Sequence, residues 1–190
     1  MTSQQWIILA CVAAAAGVLM LLERLGLQTT LRLNFKGDVK RESRWIAQYG
    51  QGACTVVVAI LIWQLDVAHR HAVIPLLAAV FGTSLVATII KRLLGRVRPG
   101  RENGGVFLGP TWRHANHRES FPSSHSAAAV ALSVILSILY PPAAMTFWVL
   151  ALLCAALRYI LDAHWPSDIA GGIALGYAAA HLCARGFGLA

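Results

Sequence analysis

Histidine, serine, carboxylate and basic side chains gather in three short fragments that lie far apart in the sequence. Each fragment lies at the end of a long apolar run, and together they are Lys91-x6-Arg98-Pro99, Pro122-Ser123-Ser124-His125 and Arg158-x5-His164-x3-Asp168. Two histidines, one carboxylate and several cations are the groups needed to hold a phosphate and to cleave its ester by histidine chemistry. We therefore predict a phosphate site where the three fragments meet.

The elements that carry these fragments are strongly apolar. Of the 190 residues, 57% are hydrophobic and only 13% are charged. A helix needs about 20 apolar residues to cross a bilayer, and six stretches approach that length: 6–22, 48–65, 72–90, 123–140, 143–161 and 169–183. We predict an all-α, polytopic membrane protein with six transmembrane helices and a single domain over residues 1–190.

Six crossings would bring the three fragments to one membrane face. The connections between spans 1 and 2, 3 and 4, and 5 and 6 lie on the same side, and the fragments fall after span 3, at the start of span 4 and between spans 5 and 6. Residues 23–47 precede span 2 and mix charges with apolar side chains. This pattern predicts a helix lying in the membrane interface, with a polar connection as the alternative.

The first two fragments have features of helix ends. Lys91 and Arg98 are seven residues apart and would share a face of one helix, which Pro99 would end. A basic cluster bound to lipid headgroups is the alternative interpretation of this fragment. In the second fragment, Ser120 is a candidate N-cap, and Pro122 would lie in the first helical turn.

A helix start in the second fragment would favour an anion, because its free amides and dipole are positive. The hydroxyl groups of Ser123 and Ser124 could donate to that anion, and His125 would lie within its reach. A capped helix with an interfacial histidine is the alternative.

In the third fragment, His164 precedes Asp168 by four residues, and Pro166 disfavours a helical conformation for the residue before it. We expect a turn here, with Asp168 in the first turn of span 6. A carboxylate in that position can hold one imidazole N–H and leave the other ring nitrogen free to attack. A helix-start carboxylate beside an unrelated histidine is the alternative, although ionisable groups at membrane depth are costly and usually functional.

The three fragments, in this order and spacing, resemble the type 2 phosphatidic acid phosphatase superfamily over a motif-bearing core of residues 91–172. The resemblance implies a metal-independent hydrolase without a cofactor. It implies that His164 is the nucleophile, that Asp168 orients it, and that His125 protonates the leaving oxygen and later activates water. The implied phosphate-binding residues are Lys91, Arg98, Ser123, Ser124 and Arg158.

Two positions depart from the family pattern, which usually has glycine where Ser124 stands and near the position of Asp162. We expect Asp162 to be mainly structural. Polar residues in the connection between spans 3 and 4 could form a lid or a specificity loop, or a solvated segment: His114, His117, Arg113, Arg118 and Glu119. The remaining histidines, His69, His71 and His181, lie away from the predicted motif face.

The basic composition indicates an anionic partner. The formal net charge is +8, and because the basic residues flank apolar spans, we expect a phosphorylated lipid and the bilayer as partners and no nucleic acid. The family's substrates include phosphatidic acid, phosphatidylglycerol phosphate, undecaprenyl diphosphate and lipid A phosphates. A phosphotransferase that uses the same phosphohistidine, and a phospholipid-binding or transport protein without activity, are the alternatives.

The sequence alone does not decide on which side of the membrane the site lies. Of the 16 Lys and Arg residues, 14 fall on the predicted motif side, and only Arg70 and Arg185 fall on the other. The positive-inside rule would place the motif side in the cytoplasm. Many bacterial members of the family that this sequence resembles have the site outside the cytoplasm. We expect a bacterial inner-membrane protein with that arrangement.

Overall fold

The computed structural model is built from helices. It describes residues 1–27, 29, 37–111, 114–161 and 163–189, and only the backbone of residues 37–40. Within these ranges the α-helices are α1 (Ser3–Arg24), α2 (Gly37–Ala47), α3 (Gly52–Leu65), α4 (Val73–Leu94), α5 (Ser124–Leu139), α6 (Ala144–Ile160) and α7 (Pro166–Gly186). Short 3-10 helices cover Gln48–Gly50, Val67–Ala72, Asn116–Arg118 and Pro141–Ala143. The predicted all-α class is confirmed for the described residues.

Three helical segments of the described chain are long and apolar enough to cross a membrane: Ser3–Arg24, Val67–Leu94 and Pro141–Ile160. A fourth is added if Arg41–Gly50 and Gly52–Leu65, which are bent by 62°, form one span. Helices occupy all six predicted positions, but α5 has only 16 residues, a length of about 24 Å. Six crossings therefore stay a prediction.

The short helix α5 is the centre of the bundle. It packs against α4, α6 and α7, and twelve of its sixteen residues are buried. In contrast, Ala16 is the only apolar residue that α1 buries, and the helix exposes large apolar side chains such as Trp6 and Ile7. An apolar outer surface around a buried helix is the arrangement expected of a bundle surrounded by lipid.

Of the predicted interfacial segment 23–47, the structure has a helix over Gly37–Ala47. Trp45 and Ile46 of this helix are exposed, as a residue inserting into an interface would be. Its location in the membrane interface stays a prediction. Leu31, Leu33 and Phe35, which contributed to the pattern, lie outside the described residues.

Glycine lets α7 approach α5 closely. A Cβ atom on Gly176 would lie 2.2 Å from the carbonyl oxygen of Ala127, and one on Gly172 would lie 2.5 Å from that of Ser123. Neither backbone oxygen can move without shifting α5. These two glycines therefore set the separation of the helices that carry the second and third fragments.

We expect Gly176→Ala to destabilise the fold by about 1–3 kcal/mol, because the added methyl group would force α5 and α7 apart. Gly17→Ala is the matched control, since a Cβ there meets nothing within 4 Å. Thermal unfolding in detergent should show a lower midpoint for Gly176→Ala and an unchanged or higher one for Gly17→Ala. Equal midpoints for the two variants would contradict the close packing.

Candidate active site

Four helix ends meet where the three fragments come together. Lys91 lies in the last turn of α4, His125 in the first turn of α5, Arg158 in the last turn of α6, and Asp168 in the first turn of α7. The backbone N–H of Ser123 donates to the carbonyl oxygen of Asp168 at 2.9 Å. The second and third fragments are therefore joined directly at the starts of α5 and α7.

His164 lies in the link before α7 and is 1% exposed. Its Nδ1 is 2.9 Å from the carbonyl oxygen of Ser120 and 3.6 Å from Oδ2 of Asp168. A carbonyl oxygen can only accept, so Nδ1 carries the proton and Nε2 of the neutral ring keeps a free lone pair. The sequence-based prediction gave the orienting role to Asp168, whereas the nearer acceptor is the Ser120 carbonyl.

Burial keeps the His164 ring neutral. It lowers the pKa of His164 to about 3, which outweighs the opposite effect of the hydrogen bond and charge of Asp168. The positive charges of Lys91 and Arg98 lower this pKa further. A neutral imidazole with a free Nε2 is the form of histidine that can act as a nucleophile.

Asp168 is fully buried and is held by several donors. Its Oδ1 lies 2.5 Å from Nη1 of Arg96, and its Oδ2 accepts from the Ser120 hydroxyl at 2.5 Å and from the Trp165 backbone N–H at 2.9 Å. Burial alone would raise the pKa of Asp168, but His164, the Arg96 guanidinium and the Ser120 hydroxyl together lower it. The carboxylate is therefore ionised beside the imidazole.

The predicted phosphate-binding cations lie near His125, and two of them, Lys91 and Arg98, also act on His164. Lys91 is 6% exposed, and Lys91, Arg98 and Arg158 are all close enough to His125 to interact with its ring electrostatically. The Nε of Arg158 is buried and has no hydrogen-bond partner among the described residues. A buried guanidinium donor without a partner fits a site that binds an anion.

The expected common helical face for Lys91 and Arg98 is wrong. Helix α4 ends at Leu94, where Gly95 adopts a left-handed conformation with φ of 61°. A side chain at this φ would be strained, and a Cβ would also lie 2.2 Å from the carbonyl oxygen of Gly109. Arg98 therefore lies in the loop that follows the helix.

Arg98 still reaches the third fragment from this loop. Its Nη1 donates to the carbonyl oxygen of Ala163 at 3.0 Å, and its Nε donates to that of Asn116 at 2.7 Å. Because Ala163 directly precedes His164, the guanidinium is anchored beside the imidazole without help from a helix.

The start of α5 also differs from the prediction. Ser123, and not Ser120, is the N-cap: its Oγ accepts from the backbone N–H of Ser126 at 3.4 Å and from the Ser126 hydroxyl at 2.9 Å. Pro122 precedes the cap and so lies outside the first turn. Ser123 is buried and Ser124, the first helical residue, is half-buried. Their role in phosphate binding stays a prediction.

His125 has a neighbour that sequence reasoning missed. Its Nε2 lies 3.5 Å from Nε2 of Gln51, the residue before α3. The adjacent Gly50 packs so closely that a Cβ there would lie 2.2 Å from the His125 carbonyl oxygen. Nothing in the spacing of the sequence links residue 51 to residue 125, because the contact depends on how the 3-10 helix Gln48–Gly50 packs against α5.

The connection between α4 and α5 is partly packed rather than solvated throughout, and its role as a lid or specificity loop stays a prediction. Glu119 is buried, and its carboxylate accepts from Nδ1 of His114 at 2.9 Å and from the backbone N–H of Ala115 at 3.1 Å. His117 is exposed. Asp162 and Arg113 lie outside the described residues.

The other histidines lie outside the motif face, as expected. His69 is held by the Asp66 carboxylate, with Nδ1 and Oδ2 2.7 Å apart, next to Tyr140. His181 stacks edge-on against the ring of Tyr177 on the distal half of α7.

The neutrality of His164 leads to a pH-dependent stability. The unfolded imidazole takes up a proton below its ordinary pKa of 6.5 whereas the folded one does so only near 3, so the free energy of unfolding falls as the pH drops through this window. At about pH 4, this loss amounts to about 3 kcal/mol. His164→Asn, which retains an N–H donor for the Ser120 carbonyl, should lose less stability on acidification.

Thermal unfolding at neutral pH and at about pH 4 measures this difference. His117→Asn, a change at an exposed histidine, serves as the control and should behave as the wild type. The same acid-induced fall in His164→Asn and in the wild type would show that His164 is not buried in its neutral form.

One family model matches more than half of the chain. The family model described as the PAP2 superfamily matches residues 72–189. The chain belongs to the PAP2 superfamily. The match contains all three motif fragments and confirms the resemblance drawn from them, while α1, α2 and α3 precede it.

Individual PAP2 relatives are similar over about half of this chain. A lipid A 1-phosphatase of Rhizobium etli is 35% identical over 103 residues, which cover 53% of this chain and 44% of that protein. A decaprenylphosphoryl-5-phosphoribose phosphatase of Mycobacterium tuberculosis is 30% identical over 108 residues, 52% of each protein. The matched part thus spans about half, or less, of the length of these curated relatives.

The PAP2 fold extends to the N-terminal helices. The crystal structure of a transmembrane PAP2 type phosphatidylglycerolphosphate phosphatase from Bacillus subtilis matches 97% of this chain and 94% of its own, with a TM-score of 0.65 and 19% identity. At this identity the likeness concerns the fold. Membership of the PAP2 superfamily and the helices that are long and apolar enough to cross a membrane support an integral membrane protein.

Proposed function

We propose that this chain is an integral membrane lipid phosphatase that hydrolyses a phosphate monoester or diphosphate of a lipid through a phosphohistidine at His164. The observation that supports this proposal most directly is the state of the His164 ring. The ring is buried, donates through Nδ1 to the Ser120 carbonyl and keeps Nε2 free. Family membership supports the same conclusion.

In the first step, Nε2 of His164 attacks phosphorus, and a P–N bond forms as the P–O bond to the lipid breaks. The departing oxygen takes a proton from the imidazolium form of His125, which the negative charge of the bound phosphate favours. As the ring gains positive charge, Asp168 stabilises it, because the carboxylate is ionised and lies 3.6 Å from Nδ1.

In the second step, water attacks the phosphohistidine and the P–N bond breaks. His125, which gave up its proton in the first step, accepts one from the attacking water, so both histidines return to their starting state. Inorganic phosphate leaves. No step requires a metal or a cofactor, and we propose that the activity is metal-independent.

The phosphoryl oxygens would be bound by Lys91, Arg98 and Arg158, with Ser123 and Ser124 at the start of α5. Hydrogen bonds to charged groups contribute about 1.5–3 kcal/mol each. The positive end of α5 adds to the field of the three cations. These donors matter most when negative charge accumulates on phosphorus in the transition state.

A lipid substrate fits the position of the site. The residues that would bind phosphate lie at the ends of apolar helices, so a headgroup can reach them while the acyl or isoprenoid chain stays in hydrocarbon. The relatives are named as phosphatases of lipid A, of a decaprenylphosphoryl sugar and of phosphatidylglycerolphosphate. We propose a bacterial inner-membrane substrate of this phosphorylated-lipid class.

The same proposal includes a single domain with six crossings and an extracytoplasmic site. A topology reporter fused after Ala190 tests the arrangement, because an even number of crossings with this site outside places the C-terminus in the cytoplasm. A reporter signal from outside the cytoplasm would contradict it.

The experiment for the function is phosphate release by the purified protein in detergent. A panel of phosphatidic acid, phosphatidylglycerol phosphate, undecaprenyl diphosphate and lipid A phosphates is incubated with the protein in the presence of EDTA. We expect release from at least one lipid at a rate that EDTA does not change. Loss of release on adding EDTA would contradict metal independence.

Two other outcomes would overturn the hydrolase proposal. Disappearance of the lipid phosphate without free phosphate, together with a newly phosphorylated acceptor, would show a phosphotransferase. If the folded protein binds a lipid phosphate but does not consume it, the chain is a binding or transport protein.

A further inference from the structure

A buried glutamate at the end of α1 reaches the predicted active site from outside the family-matching segment. Glu23 lies in the last turn of α1, and its side chain is 2% exposed. Its Oε2 lies 2.7 Å from Nη2 of Arg96, and its Oε1 accepts from the backbone N–H of Ser167 at 3.1 Å. The Ser167 hydroxyl also donates to Oε2.

These contacts are not explained by α1 itself. A carboxylate in the last turn of a helix lies next to the negative end of its dipole, and a buried ion carries a large desolvation cost. Glu23 instead occupies the N-terminal end of α7, where the free amide of Ser167 and the positive dipole favour it.

Arg96 connects Glu23 to Asp168. The guanidinium is 1% exposed; Nη2 contacts Glu23, while Nη1 contacts Oδ1 of Asp168 at 2.5 Å and Oγ of Ser167 at 2.6 Å. It lies over the rings of Phe107 and Trp165, at 5.3 Å and 5.6 Å from their centroids. One rigid cation is therefore shared between two buried carboxylates.

We infer that Glu23 is a positioning residue for the Asp168–His164 pair, acting through Arg96 and Ser167. Two effects support this role. Glu23 fixes the first turn of α7, which carries Asp168, and it holds one arm of Arg96 away from Asp168. The inference rests on the proposed function, since it assigns a helix outside residues 72–189 to the control of the same site.

Without the Glu23 charge, Asp168 would become the sole carboxylate partner of Arg96 in this network. The guanidinium would neutralise Asp168 more completely and draw it from His164, so Asp168 would stabilise the charged imidazole of the transition state less well. Among the described residues, Glu23 contacts Arg96 and Ser167 rather than the cations expected to bind phosphate, so substrate binding would be little affected.

The test compares Glu23→Gln with the wild type in phosphate release. Gln keeps the shape of the side chain and an oxygen acceptor for Ser167 but removes the charge. We expect kcat to fall by about 10–100-fold, a loss similar to that caused by removing the outer-shell partner of a metal-binding histidine, with KM changed less than about 3-fold. Glu42→Gln, at an exposed glutamate of α2, is the matched control and should leave both parameters unchanged.

A double-mutant cycle distinguishes the positioning role of Glu23 from a purely structural one. If Glu23 acts through Asp168, then Glu23→Gln should lower kcat much less in an Asp168→Asn background than in the wild type. Full additivity of the two effects, or an unchanged kcat in folded Glu23→Gln, would overturn the inference. If Glu23→Gln does not fold, Glu23→Asp, which keeps the charge at a shorter reach, is measured in the same cycle.

Failure of the proposed function would be distinguishable from failure of this inference. In that case the wild type would release no phosphate from any lipid, and the inference would be read from the ¹⁵N NMR signals of His164. A changed Nδ1 signal in Glu23→Gln, but not in Glu42→Gln, would support the positioning role without reference to turnover. An unchanged signal would overturn it.

Discussion

Replacing His164 with asparagine is expected to abolish phosphate release, with a fall in turnover on the order of 10⁴-fold or more, as for other enzymes that lose a nucleophile. The asparagine retains an N–H donor for the carbonyl oxygen of Ser120, so the local fold should persist. Because Lys91, Arg98 and Arg158 are untouched, the variant should still bind a lipid phosphate. Phosphate release and lipid binding are measured on the same preparation.

His181→Asn is the control for this variant. His181 is also a buried histidine but lies on the distal half of α7, beside Tyr177. Its replacement should leave turnover within about 3-fold of the wild type. Substantial phosphate release by His164→Asn, with folded protein, would exclude His164 as the nucleophile.

Replacing Arg96 with glutamine is expected to destabilise the fold by about 3–5 kcal/mol, the usual cost of breaking a buried ion pair by removing one partner. The loss leaves the carboxylates of Glu23 and Asp168 buried without their shared cation, which now lies 2.7 Å and 2.5 Å from them. Turnover should fall as well, because Asp168 would be displaced or protonated. Thermal unfolding in detergent and phosphate release are the two measurements.

Arg92→Gln is the control for this effect, since Arg92 is an exposed arginine in the last turn of α4. It should leave the unfolding midpoint nearly unchanged. Adding Glu23→Gln to Arg96→Gln should recover part of the lost stability, because one of the two unpaired charges is then removed. A midpoint for Arg96→Gln equal to that of Arg92→Gln would contradict the importance of the network.

The sequence predicts those parts of the fold that depend on local pattern. Apolar runs of the right length predict helices, and the structure has a helix at every predicted span. The turn before Asp168 follows from Pro166, because the residue before proline avoids helical geometry, and α7 indeed begins at Pro166. The number of crossings is harder to predict, since α5 is short and owes its position to the surrounding helices rather than to lipid.

Only the part of the site that follows from the motif spacing could be predicted from the sequence. The three fragments do meet, whereas the residues that hold them could not be inferred from spacing. Ser120 was expected to cap α5 but instead donates to Asp168 and accepts from His164. Arg96 is one of four basic residues between positions 91 and 98, and the sequence does not distinguish it from the others. Its burial depends on how the loop after α4 packs against α7.

Glu23 gave a weak signal in the sequence that could have been used. A carboxylate at the end of an apolar helix opposes the helix dipole, so it indicates a partner elsewhere. The identity of that partner, Ser167 and Arg96, depends on the packing of α1 against α7, which no local pattern encodes. The same reason explains why the contact between Gln51 and His125 was missed.

The most direct test of the central claim is to trap the phosphorylated enzyme. Wild-type protein is mixed with a ³²P-labelled lipid phosphate, quenched in base, and digested, and the label is located by mass spectrometry. Trypsin leaves His164 and His181 on one peptide between Arg158 and Arg185, so fragmentation must separate the two. We predict an acid-labile, base-stable phosphoryl group on His164 that is absent from His164→Asn. Turnover without any label on His164, or label on a different residue, would contradict the account.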